Sequence, residues 1–190
     1  MTSRGREGQA NDAGDPSFPA DFLDFIRALN AHAVEYMLVG GYAVGVYGHV
    51  RATTDIDFFY GGTSENIERL MRAMTAFGAP SNLIDAHHLG TADAVTQMGA
   101  PPIRIDLLAS LSGVTFAQAS PSIIRVEIAG TVLPVIGLAA LRQNKQATKR
   151  PKDRDDLRHL PDTSGLPVPS PASPDLIDTR RRRPSHTGGM

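Results

Sequence analysis

Residues Leu38–Tyr60 read LVGGYAVGVYGHVRATTDIDFFY. An apolar run ends on two glycines. Downstream, Asp55 and Asp57 stand inside the most hydrophobic stretch of the chain, separated by Ile56 alone. Side chains alternate along a strand, so the two aspartates share one face while Ile56 and Phe58 share the other. Neighbouring carboxylates repel, and desolvating them costs several kcal/mol unless positive charge compensates. Solvated acids on an exposed edge strand would avoid that cost, but Phe58, Phe59 and Tyr60 mark a buried strand. A divalent cation is the better compensation. Hard carboxylate oxygens suit Mg²⁺, which commonly takes one or two carboxylates plus substrate phosphates.

A third acid extends the pattern. Asp106 lies in IRIDLLA, Ile103–Ala109, again an acid in an apolar strand. On an adjacent strand it would face Asp55 and Asp57. Three carboxylates at one point can hold two metal ions about 3.5–4 Å apart, the arrangement used for in-line displacement at phosphorus. Gly40 and Gly41 supply the complementary half. A strand ending on glycine and opening a helix exposes backbone N–H groups at a positive helix end and lets phosphates approach closely.

The flanking segments alternate between helix and strand. PADFLDFIRALNAH spaces Phe22, Phe25, Ile26 and Leu29 as one helical face, with Pro19 suited to its first turn. EYMLVGG reads as a short strand and YAVGVYGHV as a short helix weakened by Gly45 and Gly48. TSENIERLMRAMTAFG is an amphipathic helix, capped by Thr63 or Ser64 and stopped by Gly78. GVTFAQA is a loop or short helical segment. SIIRVEIAGTVLPVIG is a hairpin turning at Ala129-Gly130, and LAALRQNKQATKR is a helix ending before Pro151. KDRDDLRHL is a final short helix with Asp153 as its N-cap. These elements form one α/β domain over residues 18–160. Residues 1–17 are expected to be a disordered leader and 161–190 a disordered Pro/Arg-rich tail carrying Arg180–Arg183.

Composition narrows the function classes. The absence of cysteine excludes disulfides, thiolate nucleophiles and cysteine metal sites. Net charge is −1, so bulk charge points to neither a nucleic acid nor a membrane. No apolar run approaches the roughly 18 residues of a membrane-spanning helix, and the first residues lack an apolar signal core. A cytoplasmic protein is the expectation. His87-His88 lacks a second ligand pair at fixed spacing and reads as surface loop. Ser110 and Ser112 form no nucleophile motif. The glycines of GYAVGVYG allow a dinucleotide site in principle, but the acid expected downstream is part of the Asp55–Asp57 pair.

Basic residues gather near the end of the domain. NKQATKRPKD places Lys145 and Lys149 one helical turn apart on one face, followed by Arg150 and Lys152. A basic cluster on a closing helix is placed to neutralise a triphosphate, and a phosphate role falls to Lys145. Asp153 is expected to hold these bases, to cap the last helix, or to do both.

Taken together, LVGGYAVGVYGHVRATTDIDF, RIDLL and RQNKQATKRPKDRDDL resemble the DNA polymerase β-type nucleotidyltransferase superfamily. The nearer similarity is to small bacterial nucleotidyltransferases related to the AbiEii and MenT toxins of toxin–antitoxin systems. The resemblance spans Tyr36 to Leu160. It implies an α/β (α+β) nucleotidyltransferase fold: a small mixed sheet flanked by helices, with a short C-terminal helical extension. It also implies a Mg²⁺-dependent enzyme with a two-metal site that moves a nucleoside monophosphate from an NTP to an acceptor hydroxyl. Asp55 and Asp57 would bind both metals. Asp106 would ligate the catalytic one near the attacking hydroxyl, as a base. Gly40 and Gly41 would cradle phosphates. Arg51 would pair with phosphate or with an acid, while Lys145, Lys149 and Arg150 would face the nucleotide. Thr54 stands where relatives often carry Lys, at a position of phosphate contact. The implied acceptor is a tRNA 3′ end, with a cognate antitoxin as partner. A small-molecule (antibiotic) hydroxyl, a protein side chain, or a catalytically idle binding module are the competing readings.

Overall fold

The computed structural model describes residues 18–163 except Pro102. The leader before Phe18, and the tail from residue 164 with Arg180–Arg183, lie outside the described residues.

In chain order the elements are α1 (Ala20–Ala31), β1 (Tyr36–Val39), α2 (Gly40–Val46), β2 (Asp55–Tyr60), α3 (Ser64–Phe77), α4 (Ala86–Leu89), β3 (Val95–Ala100), β4 (Ile103–Leu108), α5 (Phe116–Ala119), β5 (Ile124–Ile128), β6 (Thr131–Val135), α6 (Leu138–Thr148) and α7 (Pro151–His159). The strands form one mixed sheet in the order β3-β4-β2-β1-β6-β5. Strands β2 and β4, and β1 and β6, pair in parallel; the other neighbours are antiparallel.

The sheet's two faces have different tasks. Ile56 and Phe58 of β2, with Ile105 and Leu107 of β4, turn toward the α1/α3 layer, where Phe25 meets Phe58 at 5.8 Å. The apolar stripe of α1 and that of α3 (Ile67, Leu70, Ala73, Met74) are buried, as their helical spacing requires. Thr63 accepts a hydrogen bond from the Asn66 N–H, and Gly78 closes α3 in a left-handed conformation, so both expected ends are present. The β5–β6 hairpin turns at Ala129-Gly130, both with positive φ.

Two expectations need correction. Strand β3 has no counterpart in the reading of the sequence. It is an edge strand whose buried side chains are only Thr96 and Met98, and Gly99 and Ala100 weaken its pattern further. Asp153 does not cap α7. Pro151 occupies the first turn, the N-cap position falls to Arg150, and Asp153 sits inside the helix. Proline's fixed φ and missing N–H favour that start.

Candidate active site

Parallel pairing of β2 with β4 sets Asp57 opposite Asp106 and Asp55 opposite Arg104. Alternation puts all four side chains on the face away from α1 and α3. One oxygen from each acid lies within 4.8 Å of the other two. These residues floor a cleft of about 650 Å³. Gly40, Gly41, Lys145, Arg150 and Lys152 also line it.

Arg104 is the residue that the sequence reading overlooked. Its Nη2 donates to Asp55 Oδ2 at 2.6 Å and its Nε to Asp106 Oδ1 at 2.9 Å. The hydrogen bond to Asp106, more than any other contact, raises the guanidinium pKa above its ordinary value. Gln97 Nε2 adds a bond to Asp106 at 3.1 Å, and Thr53 Oγ1 donates to Asp55 Oδ1 at 2.9 Å. Strand periodicity carries a signal for Arg104, two residues before Asp106 on β4; Thr53 lies ahead of β2 and has no such signal. Gln97 lies on β3 and has none.

Asp57 is treated differently. Its carboxylate receives no hydrogen bond from the described residues. Burial first, then the charges of Asp55 and Asp106, push its pKa from 3.8 up to about 6 against the opposing pull of Lys145 and Lys152. Gly40 explains part of that burial. It has φ +68°, and a Cβ there would stand 1.9 Å from Asp57 Oδ2. The turn therefore requires glycine twice over, for conformation and for space. Three hard carboxylates, one of them lacking any partner cation, form a donor set that fits a divalent ion of the Mg²⁺ kind.

A second charged group lines the cleft from α6 and α7. Lys145 is only 2% exposed, and its Nζ lies 2.9 Å from both Asp153 Oδ1 and Asp156 Oδ2. Asp153 Oδ2 also accepts from Thr148 Oγ1 and Arg150 Nε, each at 2.6 Å. Arg51 grips Asp156 with Nε at 2.7 Å and Nη2 at 3.1 Å. Burial would raise Asp153, but hydrogen bonds from Arg150, Thr148 and Lys145 outweigh it and lower its pKa to about 2. Asp156 is lowered in the same way, burial being overcome by Arg51 and Lys145.

Several expectations change here. Lys145, given a phosphate role from the sequence, borders the cleft but is buried and paired with two acids. Lys149 does not share its face, because the residue is the left-handed C-cap of α6 (φ 56°) and is exposed outside the cleft lining. Thr54 is exposed and outside the cleft lining, where Thr53 stands instead. Of the two roles open to Arg51, the structure displays the acid pair, although the residue also lines the cleft. Asp156 went unread, yet its spacing of three from Asp153 is the helical signal that both face α6. His87 and His88 lie on α4, exposed, and join no metal-ligand cluster among the described residues.

No family model and no curated protein matches the chain. Among solved structures, the crystal structure of ANT(2")-Ia in complex with adenylyl-2"-tobramycin is similar to it at 16% identity and a TM-score of 0.46. That match covers 72% of this chain and 83% of the other.

Proposed function

We propose that the chain is a metal-dependent nucleotidyltransferase. The observation that carries this reading is the register that sets Asp55, Asp57 and Asp106 on one face of two parallel strands at the floor of an open polar cleft. In the reaction an acceptor hydroxyl oxygen forms a bond to the α-phosphorus of an NTP, and the bond to the bridging oxygen breaks to release pyrophosphate. Asp55, Asp57 and Asp106 would hold Mg²⁺, which would supply Lewis-acid charge to the phosphoryl group and lower the pKa of the attacking hydroxyl.

The chain's own residues bind and orient. Gly40 and Gly41 let the triphosphate approach the backbone without a side chain between them. Thr53 holds Asp55 in its rotamer through the 2.9 Å bond. Asp106 accepts the proton of the acceptor hydroxyl. Lys145 has three donors, of which two point at Asp153 and Asp156, and the third serves phosphate. Arg150 and Lys152, exposed at the rim, neutralise the leaving group. Arg104 releases the acids when nucleotide and metal enter.

Two acceptors fit. Lys149, Arg150, Lys152 and Arg154 form an exposed basic corner at the α6–α7 junction, which favours an RNA 3′ end such as that of tRNA, recognised through phosphates. A growth-inhibiting toxin with a cognate antitoxin belongs to that reading. The cleft volume also suits a small hydroxylated molecule.

The deciding experiment incubates the protein with Mg²⁺, each α-labelled NTP in turn, and either total RNA or a panel of hydroxylated small molecules. Label is expected on one class of acceptor and absent with Asp55→Ala. Failure of the folded wild type to label any acceptor overturns the proposal.

A further inference from the structure

A second group of metal-type ligands lies outside the cleft. Asp155 and His159 are four residues apart on α7, so they share one face. His49, in the segment leading into β2, lays its ring on that of His159, with centroids 4.1 Å apart and planes 3° from parallel. Asp155 Oδ2 stands 3.7 Å from His49 Nε2 and 3.7 Å from His159 Nδ1. One ligand atom from each residue lies within 4.8 Å of the others.

From these contacts we infer that His49, Asp155 and His159 form a binding site for a borderline-soft divalent cation of the Zn²⁺ type. Three observations converge. Both 3.7 Å separations are too long for hydrogen bonds. They lie close to the ~3.4 Å edge of a tetrahedron with bonds of about 2.0–2.1 Å, so each of these two pairs would close by only a few tenths of an ångström, while the two ring nitrogens lie within 4.8 Å of each other. His49 Nε2 is buried and has no hydrogen-bond partner. An unmatched buried ring nitrogen is destabilising, a penalty that coordination removes. The donor set also selects the ion. Two imidazoles and one carboxylate suit Zn²⁺ and its neighbours, whereas Mg²⁺ prefers oxygen.

Loading requires modest movement. The stacked rings cannot both aim their lone pairs at one point, so one must tilt. His159 is half-exposed at the end of α7 and free to do so, giving up the 2.9 Å contact of Nδ1 with the Asp155 carbonyl. The fourth position is left to water. Position gives the site its consequence. His49 is two residues before Arg51, and Asp155 adjoins Asp156, so the ion would clasp α7 to the same segment that the Arg51–Asp156 pair already ties. The inference does not depend on what the cleft does.

The test is calorimetric titration of the full-length, chelator-stripped protein with ZnCl₂ in millimolar MgCl₂. Wild type is compared with His159→Asn, His49→Asn and Asp55→Asn. One Zn²⁺ is expected to bind wild type and Asp55→Asn alike. Loss of a ligand-orienting partner alone typically costs 10–100-fold, so loss of a ligand should weaken binding by at least ~100-fold in either histidine variant. The nitrogen resonances of the His49 and His159 rings should shift with the added ion. Unchanged affinity in His159→Asn overturns the proposal, as does a loss confined to Asp55→Asn, which would move the ion to the cleft. His159 is on the surface, so its variant decides the matter even if His49→Asn does not fold.

Discussion

One group of carboxylates lines the cleft and another lies buried behind the cations at its wall, and the chain treats them oppositely. Asp153 and Asp156 are fully buried, yet Lys145, Arg51, Arg150 and Thr148 surround them, and both pKa values fall. Asp55, Asp57 and Asp106 are more open; the Arg104 guanidinium serves Asp55 and Asp106 and leaves out Asp57, which is pushed up to about 6. The first group is balanced and serves as a frame. In the second, Asp57 has no ion-pair or hydrogen-bond partner among the described residues, and the metal binding proposed above rests on that imbalance.

The strongest way to break this contrast is to unbalance the frame. Lys145→Met leaves two buried acids short of a cation, and removing one partner of such a cluster costs about 3–5 kcal/mol. Urea denaturation should show that loss; a change below about 1 kcal/mol would mean the cluster is not a frame. Next comes Gly40→Ala, which sets a methyl against Asp57 and strains a φ of +68°. A cost of about 1–3 kcal/mol is expected, with loss of nucleotidyl transfer. Gly45→Ala, with nothing within 4 Å, is the control and should be neutral or stabilising.

Asp57→Asn should go the other way, stabilising the metal-free protein while abolishing transfer. The gap between 3.8 and about 6 sets a ceiling of about 3 kcal/mol, and the open cleft reduces it to about 1–2 kcal/mol. The pH dependence follows from the signs. Asp57 is raised on folding, so its stabilising contribution is present below about pH 4 and lost as pH rises through about 6. Asp153 is lowered, so its contribution is present above about pH 4 and lost as pH falls through about 2. Thermal melts across pH should show both slopes in wild type. Only the upper one should vanish in Asp57→Asn. The smallest effect is expected from Arg104→Gln, which removes the internal cation. Mn²⁺ binding, followed by electron paramagnetic resonance, should tighten several-fold; weaker binding would show that Arg104 positions the acids rather than competing for them.

The contrast also marks what could be read from the sequence. Residues on a strand obey a period of two, so the shared face of Asp55, Asp57 and Asp106 was legible, and Arg104 was within reach of the same rule. Thr54 was named through the resemblance alone, and it lies ahead of β2, where that period does not reach. The frame was harder to see. Lys145 looks like an ordinary basic residue until α7 folds back over it, and Arg51 meets Asp156 only through a contact spanning 105 positions. Strand β3 hid for another reason: two inward side chains are too few to make a pattern.

The one-to-one register of β2 and β4 has a consequence for how such a protein could change over time. The alternation that sends Ile56 and Ile105 into the interior is the same one that sends Asp57 and Asp106 out of it. A single-residue insertion in either strand would swap the two sets, drowning the acids and exposing the isoleucines. Reactivity in this sheet can therefore be erased by point replacement, but it cannot drift along the strand. Anyone transplanting it to another scaffold must move the paired strands together.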